Sequence, residues 1–242
     1  TSNWVLLGSK ILALLQLQLF MLSFLMVCGI GLQVYNGYYH FEIGLYIFHL
    51  LLITFPVLMV WAALSVFTHT IIPNLYLGIF LLLMVWLGIG LLPQIGLMTH
   101  LLRFNSPPQL IYSDLNGYGD GLPGSYLVNT YWLSFAAILV FLAYLFWQRG
   151  FGNSVQERFR TAVQRFRSHV PFAVLAFALL FFLLGNKIHR EENSLFKPAG
   201  NENQALDTFR KTFGKYRSTV QPKITSVKLN LELFPENRSF SA

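Results

Sequence analysis

Five long apolar runs dominate the pattern of hydrophobic and polar positions. They predict membrane-crossing helices at residues 11–32, 44–67, 75–102, 131–147 and 171–184, since a helix needs ~20 residues to cross a hydrocarbon core of ~30 Å. The third run is too long for one straight crossing and carries Gly88, Gly90 and Pro93, so a break near Pro93 is expected. The last two runs are short, which predicts that they borrow flanking residues or lie tilted. Two further patterns are helical and amphipathic. Within 154–170, Val155, Phe159, Ala162, Val163, Phe166 and Val170 share one face and arginines the other, the layout of a basic helix lying on an anionic leaflet. Leu206, Phe209, Phe213, Tyr216 and Val220 repeat the same spacing after a polar linker at 190–203. The period then changes to two: Val227, Leu229, Leu231 and Leu233 alternate with Lys228, Asn230 and Glu232, as in a half-buried strand. Residues 235–238 read as a turn, and the chain stops about where a partner strand would begin. A lone hairpin is marginal in water, so residues 222–242 are expected to be poorly packed, extended or resting on the linker helix.

Composition divides the chain in two. Only 11% of residues are charged, against ~25% in an ordinary soluble domain. Five of the 27 charged residues, Lys10, Glu42, Arg103, Asp114 and Asp120, lie before residue 148. The expected fold is therefore all-α: a polytopic helical membrane protein of about five spans with a short extracytoplasmic helix–strand tail. Residues 1–185 form the transmembrane domain, 186–221 a linker with an amphipathic helix, and 222–242 the start of a truncated β-domain. Arg149, Arg158, Arg160, Arg165 and Arg167 place segment 148–170 in the cytoplasm by the positive-inside rule. Alternation then puts Lys10 inside, loops 33–43 and 103–130 outside, and everything after residue 184 outside. Five arginines against one glutamate crowd this segment between apolar runs, so lipid and not nucleic acid is the expected partner; a cytoplasmic ATPase could also dock there. Cys28 stands alone and can form no internal disulfide.

Candidate chemistry is sparse. The outer loop 112–126, YSDLNGYGDGLPGSY, carries successive turn signals at Asn116-Gly117, Asp120-Gly121 and Pro123-Gly124, beside interface-type tyrosines. Tyr112, Asp114, Asn116, Gly117, Tyr118 and Gly119 are the candidate ordered cap on the outer face. Asp114 and Asp120 lack the further oxygen ligands of a calcium loop. Of six histidines, His40, His69 and His100 fall near predicted span ends and His49 about one turn inside; none pairs in the way a haem or metal site requires. HREE at 189–192 has the wrong order for a zinc peptidase, and neither a nucleophile elbow nor a P-loop occurs. The expectation is a chain without catalytic, cofactor or metal residues of its own; Arg158, Arg160, Arg165 and Arg167 are candidate contacts to lipid or a cytoplasmic partner. An intramembrane enzyme would need paired polar residues mid-bilayer, which the runs do not offer.

Taken together, the spans, the outer YSDLNGYG, the basic inner segment and the tail FRKTFGKYRSTVQPKITSVKLNLELFPENRSFSA resemble bacterial ABC-type permeases fused to an aminopeptidase N-like (zincin) metallopeptidase. The tail is similar to the entry into the peptidase, an amphipathic helix and the first strand of its N-terminal β-domain, with Pro235, Glu236 and Arg238 matching a Pro-Glu-x-Arg turn. The resemblance implies a permease segment of an export system, multi-pass in a bacterial inner membrane, N-terminus cytoplasmic and tail periplasmic. It implies an ABC ATPase carrying ATP on a separate chain, zinc in a peptidase domain beyond Ala242, and a homo- or heterodimer of permease units. No family catalytic residue maps onto this chain, which on this reading is a fragment. The alternative is a membrane anchor of the aminopeptidase without transport activity.

Overall fold

The computed structural model describes residues 2–92, 99–119, 121–147, 170–195, 199–214, 232–234 and 239–241. Helix α1 spans Asn3–Tyr35 and starts at Ser2, whose Oγ accepts from the Trp4 amide at 3.4 Å. Then α2 (Ile43–Ile47), a π-helical segment (Phe48–Thr54) and α3 (Phe55–Ile71) run on as one continuous helix. Asn74 caps α4 (Leu75–Leu91), accepting from the Tyr76 and Leu77 amides. Helices α5 (Gly121–Phe146), α6 (Val170–Leu195) and α7 (Ala199–Phe213) follow, then strands β1 (Glu232–Phe234) and β2 (Ser239–Ser241).

The protein is thus an all-α polytopic helical protein. Four helices, Asn3–Tyr35, Ile43–Ile71, Gly121–Phe146 and Val170–Glu191, are long and apolar enough to cross a membrane. Among the described residues of the third predicted run the helix is the 17-residue α4; it ends just before Pro93, near which the break was expected. The fifth run reaches forward to Leu195, so most of the 190–203 linker is helical and the connection to α7 narrows to residues 196–198. The fourth begins ten residues earlier than its apolar run. Pro123 and Gly124 were read as a turn, yet they lie in the first turn of α5. A proline fits there because the first helical amides have no intrahelical acceptor.

Helix α5 is the centre of the bundle, packed on α3 and α6. Val60 and Ala63 of α3 meet Val128, Tyr131, Trp132 and Ala136 of α5, with Ile188 of α6 closing the cluster. Small side chains at Ala62, Ala63, Ser134 and Ala136, all buried, let the backbones approach. Rings fill the rest: Phe104 lies edge-on to Trp61 and Trp132, and Phe181 stacks on Tyr131 at 4.2 Å. Outward faces are just as apolar. Phe20, Trp86, Phe172 and Phe182 are between 60% and 73% exposed, a surface that hydrocarbon solvates and water does not. The chain is a multi-pass membrane protein.

The ends of the bundle sort as alternation requires. Trp4 stacks on Tyr144, the Lys10 ammonium lies 4.8 Å over Trp147, and Val170 packs on Leu145. These residues form one end; the loops before α2 and before α5 form the other. The loop 103–130 was expected wholly outside the membrane domain. Instead Phe104 enters the aromatic core and Asn105 is buried, with its Nδ2 donating to the Val57 carbonyl at 2.8 Å. Val57 lies about 21 Å along the helix from Ile43 at 1.5 Å per residue. Irregular backbone at such depth is tolerated because protein covers it.

At the polar tail, Leu206, Phe209 and Phe213 of α7 share a face and are exposed. The expected half-finished hairpin is in fact paired: Glu232, Leu233 and Phe234 face Ser241, Phe240 and Ser239 in antiparallel register. Three residues beyond the turn suffice for a partner strand, because short hairpin ladders need only a few pairs. Strand positions 224–231 lie outside the described residues, as do Tyr216 and Val220.

Candidate functional site

Among the described residues, polar and titratable side chains converge at a cavity of about 430 Å³ at the end of the bundle where α1 stops and α2 starts. Three local structures build it. Helix α1 ends in a Schellman motif: Tyr38 N–H donates to Gln33 O at 2.9 Å and Gly37 N–H to Val34 O at 3.0 Å. Gly37 takes φ +76°, which only glycine adopts without strain. The motif fixes Gln33 and Tyr38 on one wall; the chain then passes His40 and Glu42 into α2.

The second structure is the π-helical segment. Pro56 has no N–H, so a carbonyl in the preceding turn loses its backbone donor, and the ring crowds an α-helical approach. The helix widens just before it: Phe55 N–H donates back to Leu50 O, and Thr54 Oγ1 to His49 O at 3.2 Å. Side-chain amides from other elements serve nearby carbonyls. Gln18 donates to Leu58 O at 3.0 Å, Asn105 to Val57 O, and Asn129 to Ile53 O at 3.5 Å. The widened turn presents His49 and Leu50, and α2 before it Tyr46, to the cavity. Such π-segments occur often at functional sites.

The third is the loop singled out in the sequence. Ser113 and Gly117 exchange backbone hydrogen bonds at 2.9 and 2.7 Å, closing a turn over Asp114, Leu115 and Asn116. Gly117 leaves the turn at φ +58°, the left-handed position that a three-residue hairpin loop requires. Asn116 O accepts from Gly119 N–H at 3.0 Å. The loop is therefore ordered by its own backbone, and it presents Tyr112, Asp114 and Tyr118 to the cavity. Tyr118 joins loop to helix: its hydroxyl lies 2.9 Å from His49 Nδ1, and its ring stacks on Phe48 and His49. Burial, then the neighbouring phenols of Tyr112 and Tyr126, hold the Tyr118 pKa above its ordinary 10.0. The phenol therefore stays neutral and keeps its hydrogen bond to the imidazole.

Of the candidate residues, Asn116, Gly117 and Gly119 shape the turn and the other three loop residues line the cavity. Arg158, Arg160, Arg165 and Arg167 lie outside the described residues. The contribution of Gln33, Tyr38, His40, Glu42, Tyr46 and His49 was not read from the sequence; the available signal was Pro56 inside an apolar run, about two turns after His49. Among the described residues no group of three or more His, Cys, Asp or Glu side chains is placed to hold a metal ion. The arrangement suits recognition by stacking and hydrogen bonding. A second, smaller cavity of about 330 Å³ lies between α3, α4 and the buried loop, lined by Trp61, Trp86, Phe104 and Asn105. Compared with known protein families, curated proteins and solved structures, the chain matches none.

Proposed function

We propose that the chain is the membrane unit of a bacterial ABC-type export system and tethers an extracytoplasmic zinc aminopeptidase. The observation that supports this reading is the order of parts in one chain: a helical bundle with an apolar exterior, an exposed amphipathic helix, then an antiparallel hairpin. On this reading the bundle sits in the inner membrane with the N-terminus in the cytoplasm and the hairpin in the periplasm. An ATPase subunit docks at segment 148–170 through Arg158, Arg160, Arg165 and Arg167 or through lipid gathered there, and a second permease unit completes the translocator. ATP belongs to the separate subunit and zinc to the peptidase domain. The test is to purify the protein in its full length with the ATPase encoded beside it. ATP hydrolysis that depends on this chain is expected, with weaker association when the four arginines become glutamine. Hydrolysis indifferent to the chain overturns the proposal.

A second reading, an anchor without transport, is favoured by the filled interior, where Phe104, Tyr131, Trp132, Phe135 and Phe181 occupy the space among α3, α5 and α6. An anchor predicts that one unrelated span can replace the bundle with peptidase activity and cellular phenotype intact; loss of either favours the transport unit.

A further inference from the structure

The cavity at the α1–α2 end carries an inference that does not depend on the transport reading. Its walls hold four phenols, Tyr38, Tyr46, Tyr112 and Tyr118, and two acidic side chains, Glu42 and Asp114. Neither Lys nor Arg lines it. Glu42 and Asp114 are exposed, and neither has an ion-pair partner among the described residues. Gln33 Oε1 is a buried acceptor in the wall with no donor among the described residues.

These features discriminate among ligands. An anion would meet two carboxylates and neither Lys nor Arg. A bare metal ion needs several converging ligands, and the described residues supply no such group. A neutral apolar ligand would gain nothing from the acids. A cation with an organic body uses every wall: aromatic faces carry negative potential toward it, and the carboxylates complete the field. A volume of about 430 Å³ holds a small ligand or a lipid headgroup but not a folded partner. We propose that this cavity binds an organic ammonium ion, with the tyrosine rings around its alkyl groups and Glu42 and Asp114 as counterions. The ion is either a free amine or quaternary ammonium compound, or the headgroup of a lipid of the same chemistry. The cavity lies where the apolar helices end, the level at which headgroups lie.

The probes are choline and its neutral isostere 3,3-dimethylbutan-1-ol, titrated calorimetrically against the protein in detergent. In parallel, the protein is extracted from nanodiscs of equal parts phosphatidylethanolamine and phosphatidylglycerol, and the lipids it retains are weighed by native mass spectrometry. Choline binding that exceeds that of the isostere by about tenfold supports a free ammonium ligand. Selective retention of phosphatidylethanolamine without choline binding supports the lipid source. Glu42→Gln with Asp114→Asn should weaken whichever binding is seen by about tenfold, and Tyr118→Ala likewise, whereas Tyr118→Phe should retain it. Equal binding of choline and isostere together with unselective lipid retention overturns the proposal. So does selective binding unmoved in the double variant. Should the variants fail to fold, the comparison of probes on the unaltered protein decides by itself.

Discussion

Asn105 shows how one side chain can hold an irregular segment inside a bundle. Its φ of +49° lies in the left-handed region, its Nδ2 donates to Val57 O, and it is buried. Asn105→Ala loses the bond and keeps a β-carbon in a conformation that penalises it. The expected cost is about 2–3 kcal/mol, from a lost hydrogen bond and left-handed strain together. Asn105→Gly loses the bond alone and should fall between alanine and wild type in thermal unfolding in detergent. Equal or reversed order would show that the backbone at 105 is not constrained in this way. Tyr118 makes a second residue-scale prediction. Its folded pKa is raised above 10.0, so its stabilising effect is fully present below pH 10 and lost as pH rises through the higher folded value. Tyr118→Phe removes this alkaline loss and, at neutral pH, costs about 1 kcal/mol through the His49 bond. Melting temperatures of the two proteins between pH 8 and pH 11 check both effects.

At the scale of elements, the π-segment before Pro56 sets the geometry of the cavity. Pro56→Ala restores the missing N–H and lets an α-helical pattern extend, which turns the preceding residues by about 100° per residue removed from the widened turn. The prediction is that helicity is kept while His49 swings away from Tyr118. With Cys28→Ser as background, a His49→Cys/Tyr118→Cys pair should cross-link with a short bifunctional reagent, and Pro56→Ala should reduce the yield several-fold. An unchanged yield would contradict the role given to the proline. The apolar runs made the helices legible in the sequence, since length and hydrophobicity alone mark a span. Their starts were less legible: Gly121, Pro123 and Gly124 have turn chemistry, yet they are helical, and Gly124 and Ser125 end up buried. Half of the candidate site was visible as a loop rich in tyrosine and glycine. The rest depended on contacts between residues 49 and 118, which no local pattern records. The descent of Phe104 and Asn105 into the core was hidden for the same reason, because polar loop residues read as surface until a carbonyl such as that of Val57 is found waiting for them.

For the whole molecule, the account turns on which way the bundle faces. Lys10, Trp147 and Val170 share one end; the cavity and the loop around Ser113 share the other. The proposed function requires the first end in the cytoplasm, beside the arginines, and the second outside, together with α7 and the hairpin. Single cysteines introduced in the Cys28→Ser background and probed on intact cells with a membrane-impermeant maleimide test this directly. The account predicts that Ser113→Cys is labelled from outside and that Ser154→Cys reacts only after the cells are opened. Labelling of Ser154→Cys on intact cells, with Ser113→Cys protected, would contradict it.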